Sequence, residues 1–116
     1  MPLYTDSSKG VFDGLTEITL TRTPATGITI VTMLRIVNTD TANITPKVRI
    51  YDAARYGDAE EYLRISNDIT LETDEYMQYE GVVCVLNPGQ VLVAELSAAV
   101  TTNEPEWMVV WAREVY

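Results

Sequence analysis

Carboxylates are the side chains of this sequence that could do chemistry together. They cluster over residues 58–61 and 72–80, and the clustered acids are Asp58, Glu60, Glu61, Glu72, Asp74, Glu75 and Glu80. Paired carboxylates can hydrolyse glycosides, but that reaction needs a concave, aromatic-lined cleft, and a chain of 116 residues leaves little material to build one. Oxygen ligands alone can hold Ca²⁺, so a calcium site over 72–80 stays open, although no EF-hand spacing is present.

The other common catalytic groups are missing from the sequence. Histidine does not occur, which removes the usual general base and the usual metal ligand. Cys84 is the only cysteine and stands between two valines, so we expect a buried, inert thiol and no intrachain disulfide. A zinc site would need carboxylates alone. The glycine-rich phosphate-binding motifs GxxxxGK(S/T) and GxGxxG do not occur in the sequence. We therefore expect no enzyme, no catalytic residue and no cofactor, with calcium as the one metal left open.

Charge and hydropathy restrict the partners. Lys and Arg number 8 against 17 Asp and Glu, a formal net charge of -9, so phosphate backbones would be repelled and direct nucleic-acid binding is disfavoured. Apolar runs such as residues 82–86 are far shorter than the roughly 18 residues of a membrane helix. The first ten residues lack the basic start and apolar region of a signal peptide, so we expect synthesis and folding in a cytoplasm.

Short strand-like segments, separated by turn signals and without a helical period, predict an all-β fold. They span about residues 15–22, 28–37, 47–52, 62–65, 69–73, 81–86, 90–97 and 107–116. Seven or eight antiparallel strands fit a single β-sandwich with jelly-roll or immunoglobulin-like connectivity, or a barrel. Residues 1–14 mix polar and apolar types without a period, so we expect an irregular N-terminal arm followed by one sandwich domain over 15–116.

Two hairpins are expected within this domain. Residues 28–52 form the first, two strands joined by the polar segment 38–43, and residues 81–97 form the second, joined by the turn Asn87-Pro88-Gly89. The strand over 28–37 is apolar on both faces. A strand buried on one side should alternate, so we expect this one to be central and covered on both sides, by the opposing sheet, the arm or another subunit.

Three stretches of the chain resemble small β-sandwich virion proteins of tailed bacteriophages. The stretches are RIVNTDTANITPKVRIYD, VVCVLNPGQVLVAELSAA and the closing strand MVVWAREVY. In the family, a strand ending in V-N-T-D or A-N-T-D leads through a Thr/Ala-rich turn into a V-x-x-x-I-Y-type strand, and an L-N-P-G-D-type turn comes later. This chain departs from the pattern at Gln90, where Asp is common, in a bulkier closing strand over 107–116, and in an acidic insert over about 56–79.

The resemblance implies a virion structural protein present in many symmetric copies. A compact domain with a two-faced strand and an anchored arm favours a capsid decoration or cement protein, a trimer or dimer on the major capsid protein or other virion proteins. A neck, tail or fibre component stays open, as does a carbohydrate- or receptor-binding sandwich that uses exposed tyrosines. From the arm, the polar tip and the tyrosines, the side chains expected at interfaces are Leu3, Tyr4, Val11, Phe12, Asn38, Asp40, Tyr51 and Tyr56.

Overall fold

A computed structural model describes residues 3–14, 17–51, 61–66 and 69–116 of the chain. Its strands are β1 (Leu3–Val11), β2 (Ile18–Arg22), β3 (Gly27–Val37), β4 (Pro46–Tyr51), β5 (Glu61–Ser66), β6 (Tyr76–Leu86), β7 (Val91–Leu96) and β8 (Glu106–Val115). Within those ranges there is no helix that could span a membrane.

The strands form two four-stranded antiparallel sheets. Sheet A has the order β1-β8-β3-β6, and sheet B has the order β2-β7-β4-β5. Strands pair from the two ends of the chain inwards, β1 with β8, β2 with β7, β3 with β6 and β4 with β5, as in one long antiparallel ribbon. Rolling that ribbon up adds the pairs β3–β8 and β4–β7. This strand order is a jelly roll. The predicted β-sandwich is therefore confirmed, with jelly-roll and not immunoglobulin-like connectivity.

The predictions of both hairpins are wrong. β3 and β4 lie in different sheets, and so do β6 and β7. The turn after β6 has the expected chemistry, with the Gln90 N–H bonded to the Asn87 carbonyl at 3.0 Å and Gly89 at a φ of 81°. The same turn residues suit a tight hairpin and a crossing between sheets, so local sequence does not distinguish the two.

The N-terminal segment also differs from expectation, because Leu3–Val11 is a regular strand and not an irregular arm. It pairs with β8 over all nine residues without a register shift. Its polar residues have a weak strand propensity, and the exposed edge of β8 supplies the pairing that overrides it. Residues 69–73, expected to be a strand, make only a single bridge, Ile44 to Leu71. β6 begins at Tyr76, five residues before the strand expected over 81–86.

The core lies between the two inner faces. On β3, Val31, Leu34 and Ile36 have no exposed surface, and Leu92 on β7 faces them from the other sheet. Trp107 and Trp111 lie on the same face of β8 and belong to this core. Cys84 is buried on β6, as predicted, and burial raises the pKa of its thiol to about 11.

Candidate interaction surfaces

The outer face of sheet A, the side turned away from sheet B, is rich in apolar residues. On β3, fully buried residues alternate with half-buried ones, and the half-buried set includes Ile28, Ile30, Met33 and Val37. The register places Val110 of β8 beside Met33 and Ala112 beside Ile30 on the same face. The second apolar face of β3, visible in the sequence, is therefore part of a surface shared by neighbouring strands.

The two edge strands continue this apolar surface. On β1, Leu3 is 59% and Val11 is 44% exposed; on β6, Tyr76 is 57% and Val85 is 44% exposed. Their β3 and β8 register partners place all four on the outer side of the sheet. No described segment covers this face, so it is an unpartnered sheet surface of a kind that marks interaction sites.

A groove of about 550 Å³ crosses the outer face of sheet A over β1, β8 and β3. Its lining includes Lys9, Val11, Arg35, Val37, Glu106 and Met108. The Arg35 guanidinium donates to the amide oxygen Oε1 of Gln78 at 2.7 Å and lies 4.2 Å from the centre of the Tyr76 ring. The groove thus combines an apolar floor with a few fixed charges.

The outer face of sheet B differs, because its own charges satisfy one another. Arg49 on β4 donates to Glu95 at 3.0 Å and also bonds Glu17. On the same face, Val91 and Val93 of β7 are only 5% and 2% exposed. A face whose apolar residues are already covered has little to gain from a partner, so sheet A is the better candidate surface.

Asn38 and Asp40, expected at an exposed tip, are both 0% exposed. The Asp40 carboxylate accepts hydrogen bonds from the backbone N–H groups of Thr101, Thr102, Asn103 and Thr41. The Thr101 bond is the largest influence on the pKa of Asp40; against the opposing effect of burial, it and the other backbone bonds lower that pKa to about 2.

Asn38 completes this arrangement. Its side-chain Nδ2 donates to the carbonyls of Ala42 and Leu71, both at 2.9 Å, while its Oδ1 accepts the Asp40 N–H. The two residues therefore bind three loops at one end of the sandwich, and their side chains are turned inwards. Their polar character was evident from the sequence, but the partners that bury them in other loops are 33 to 63 residues away, and no local signal could have identified those.

The other expected interface residues separate into two groups. Leu3, Tyr4 and Val11 are exposed on β1, with the Tyr4 ring edge-on to Trp111 at 6.2 Å. Phe12 is fully buried in the core of its own subunit, where its N–H bonds the Pro105 carbonyl at 2.8 Å.

On sheet B, Tyr51 is half-buried on the outer face. Tyr56 lies outside the described residues. The structure thus places Leu3, Tyr4 and Val11 on one edge strand, with Tyr4 on the opposite face from the other two, and does not join them to Asn38 or Asp40. Sequence reasoning passed over Lys9 and Arg35, which it had no reason to connect before β1 was known to be a strand of sheet A.

Metal-binding geometry is absent from the described part of the chain. No group of three or more acidic, cysteine or histidine side chains there is placed to hold a metal ion. In the acidic segment 72–80, a carboxylate oxygen of Glu75 accepts the Glu72 N–H at 2.6 Å, and Asp74 takes a φ of 67°. These acids shape a turn, and the geometry gives the calcium hypothesis no support.

Comparison with known proteins identifies the fold. No protein-family model and no curated protein matches the sequence. A chain from the structure of Bacillus endospore appendages, described as disulfide-linked pili, is 12% identical with a TM-score of 0.53, covering 98% of this chain and 87% of that one. A capsid chain of a Helicobacter pylori bacteriophage is 12% identical with a TM-score of 0.52, covering 96% and 86%.

A chain of infectious bursal disease virus is also similar, at 14% identity and a TM-score of 0.52. The match covers 98% of this chain and 32% of the viral one. At such identities the likeness is one of fold alone. The fold of this chain is shared by chains from a Bacillus endospore appendage, a phage capsid and infectious bursal disease virus.

Proposed function

We propose that this protein is a non-enzymatic structural protein of a bacteriophage virion, a capsid decoration or cement protein that binds the outside of the head. The observation that carries the proposal is the outer face of sheet A, which has apolar residues on all four strands and is not covered by any described segment. On the outer face of sheet B, by contrast, the charged residues pair with one another. The resemblance of the strand and turn motifs to phage virion proteins and the fold shared with a phage capsid chain support it.

The chemistry of the surface fits a protein partner. A half-buried apolar floor favours burial against another protein, while Lys9, Arg35 and Glu106 at the groove fix orientation by charge. The net charge of -9 keeps the free protein soluble and repels nucleic acid, which suits a position on the outside of a head. We infer that the major capsid protein is the partner of this face.

Cosedimentation with undecorated heads tests the proposal. Wild-type protein should pellet with the heads and saturate at a fixed number of copies. Met108→Glu and Val110→Glu place a charge on the outer face of sheet A and should weaken head binding about tenfold or more. Thr19→Glu, exposed on the outer face of sheet B with the same change in charge, is the matched control and should bind as wild type does.

Each variant should be compared with wild type by thermal melting, so that a loss of binding is not a loss of folding. Wild-type protein that fails to bind heads would contradict a decoration role, and equal binding by all variants would contradict the assignment to sheet A. Immunogold labelling of virions would then distinguish the head from the neck, tail or fibres.

A carbohydrate- or receptor-binding role is the second candidate, favoured by one observation. The exposed Tyr76 ring is held by the Arg35 guanidinium beside the groove, an arrangement that could stack against a sugar. Fluorescence titration with a panel of host saccharides tests it. A saturable change that is lost in Tyr76→Ala would favour this role, and its absence with intact head binding would favour decoration.

A further inference from the structure

The free edge of β1 is the feature that carries an inference beyond a virion role. A jelly roll of two sheets has four edge strands, here β1, β6, β2 and β5. Register shifts interrupt the pairing of three of them: β6 opposite residues 31–33, β2 at residues 19–21, and β5 at two places. Such irregularities protect an edge from pairing with another chain. β1 is regular over nine residues, seven of them exposed.

Alternate residues of β1 direct their backbone N–H and C=O groups away from β8, towards the free edge. The Phe12 N–H bonds the Pro105 carbonyl, which continues the β1–β8 register and directs the even-numbered positions towards β8. The odd positions from Leu3 to Val11 therefore direct their N–H and C=O groups outwards. The Ser7 N–H agrees with this phase, because among the described residues its partner is the neighbouring Asp6 carboxylate, at 2.8 Å, and not a β8 carbonyl.

We propose that β1 pairs with β1 of a second copy of this chain, antiparallel about a two-fold axis at Ser7, to join the two A sheets into one eight-stranded sheet. The sequence of the strand is complementary to itself in this register. Leu3 faces Val11 of the second copy and Thr5 faces Lys9 on the outer side. On the inner side Tyr4 faces Gly10, which lies against the indole of its register partner Trp107, so the pairing brings two aromatic side chains together.

The pairing would add up to about ten backbone hydrogen bonds from the five outward positions of each strand. It would also make the apolar outer face of sheet A continuous across the axis. One feature opposes it: Asp6 occupies the Ser7 N–H and lies diagonally across the axis from its own copy, within reach of like-charge repulsion. Asp6 therefore limits the affinity of the dimer, as does the net charge of -9 on each chain.

Light scattering after size-exclusion chromatography over a concentration series measures the association. Wild-type protein should form a dimer that strengthens with added salt. Asp6→Ala should lower the dimer dissociation constant, since it releases the Ser7 N–H and removes the repulsion. Ser7→Pro removes an outward N–H from an edge strand and should raise the dissociation constant about tenfold or more, whereas Ser7→Ala keeps that N–H and should dimerise as wild type does.

Cross-linking tests the register of the β1–β1 pairing, and it does so even if the Ser7→Pro variant does not fold. In a Cys84→Ala background, a short bis-maleimide should link two Ser7→Cys chains, because the α-carbons of the two residues 7 are about 5.5 Å apart in this pairing. It should not link two Leu3→Cys chains, because the two residues 3 are eight positions apart along the paired strands, or about 27 Å. A monomer at every concentration, even with Asp6→Ala, would overturn the proposal. So would equal cross-linking at both positions, or open polymers, which head-to-tail pairing would produce.

This inference stands on the geometry of β1 and does not need the virion role. A dimer that ignores heads would contradict the proposed function alone, and a monomer that binds heads would contradict the dimer alone.

Discussion

The carboxylate of Asp40 accepts a hydrogen bond from the backbone N–H of Thr101 at 2.8 Å, across 61 residues of sequence. The N–H groups of Thr102 and Asn103 point at the same carboxylate, which makes the loop before β8 a binding pocket for one side chain of the loop after β3. Buried carboxylates are costly unless fully hydrogen-bonded, and here four backbone donors meet that need. The Asn38-Thr39-Asp40 segment therefore holds the loops at one end of the sandwich together by hydrogen bonds.

Replacing Asp40 with Asn should lower the melting temperature at neutral pH, because the amide keeps one acceptor oxygen and turns its own N–H groups towards N–H donors. The folded pKa of Asp40, about 2, lies below its ordinary 3.8, so the carboxylate stabilises the fold above about pH 4 and loses that effect as the pH falls towards 2. Thermal melts from pH 7 to pH 2 should show the two proteins converging in acid. Asp13→Asn, at an exposed position, is the control. If the melting temperature of Asp40→Asn stayed equally far below that of wild type as the pH falls, the stabilising role of the Asp40 carboxylate would be contradicted.

Local sequence predicted most strands because their patterns are themselves local. β3, β7 and β8 are short runs rich in β-branched and apolar residues, and their predicted bounds are close to those observed. Strand partners are a different matter: β1 pairs with β8 at the far end of the chain, and the choice between a hairpin and a sheet crossing depends on contacts that no short stretch contains. β1 itself carries mostly polar residues and is a strand because β8 lies beside it.

The candidate surface was visible in part. The second apolar face of β3 predicted a covering partner, and the structure shows that face continued by Val110 and Ala112 of β8. What the sequence could not indicate is which polar residues turn inwards. Asn38 and Asp40 look like surface residues until the loops that surround them are known, because composition does not tell whether a carboxylate meets water or backbone N–H groups.

Gly10 leaves space for the indole of Trp107, its register partner on β8. A β-carbon at Gly10 would lie 3.0 to 3.2 Å from three atoms of that ring, closer than ordinary packing allows. Gly10→Val should therefore destabilise the protein by about 1–3 kcal/mol in urea unfolding and shift Trp107 fluorescence as the ring is displaced. Ser7→Val, on the outward side of the same strand, should change stability by less than about 0.5 kcal/mol. Equal losses would show that strand propensity, and not the ring contact, is responsible.

Cys84 should be unreactive in the native protein. Its side chain is buried on the inner face of β6, and burial raises the pKa of the thiol to about 11, so little thiolate is present at pH 8. An aromatic disulfide reagent should label it only after unfolding in urea. Val85→Cys in a Cys84→Ala background places a thiol at the adjacent, exposed position and should react in the native state. Rapid labelling of native Cys84 would mean that β6 opens from the sheet.

Arg113 joins the two sheets through hydroxyl groups. Its Nε donates to Thr29 at 2.8 Å in sheet A, a terminal nitrogen donates to Thr21 at 3.0 Å in sheet B, and the guanidinium lies 4.0 Å from the Trp111 ring centre. Arg113→Met should cost about 2–3 kcal/mol in urea unfolding, because two buried threonine hydroxyls lose a charged donor.

Arg113→Lys separates charge from shape. A lysine ammonium is a point donor that cannot reach both hydroxyls while stacking on the indole, so this variant should recover less than half of the lost stability. Arg22→Met, at an exposed position on β2, controls for the removal of a positive charge from an acidic protein and should change stability by less than about 0.5 kcal/mol. Full rescue by lysine would mean that charge alone matters here, and the planar fork of the guanidinium would then have no part in holding the sheets together.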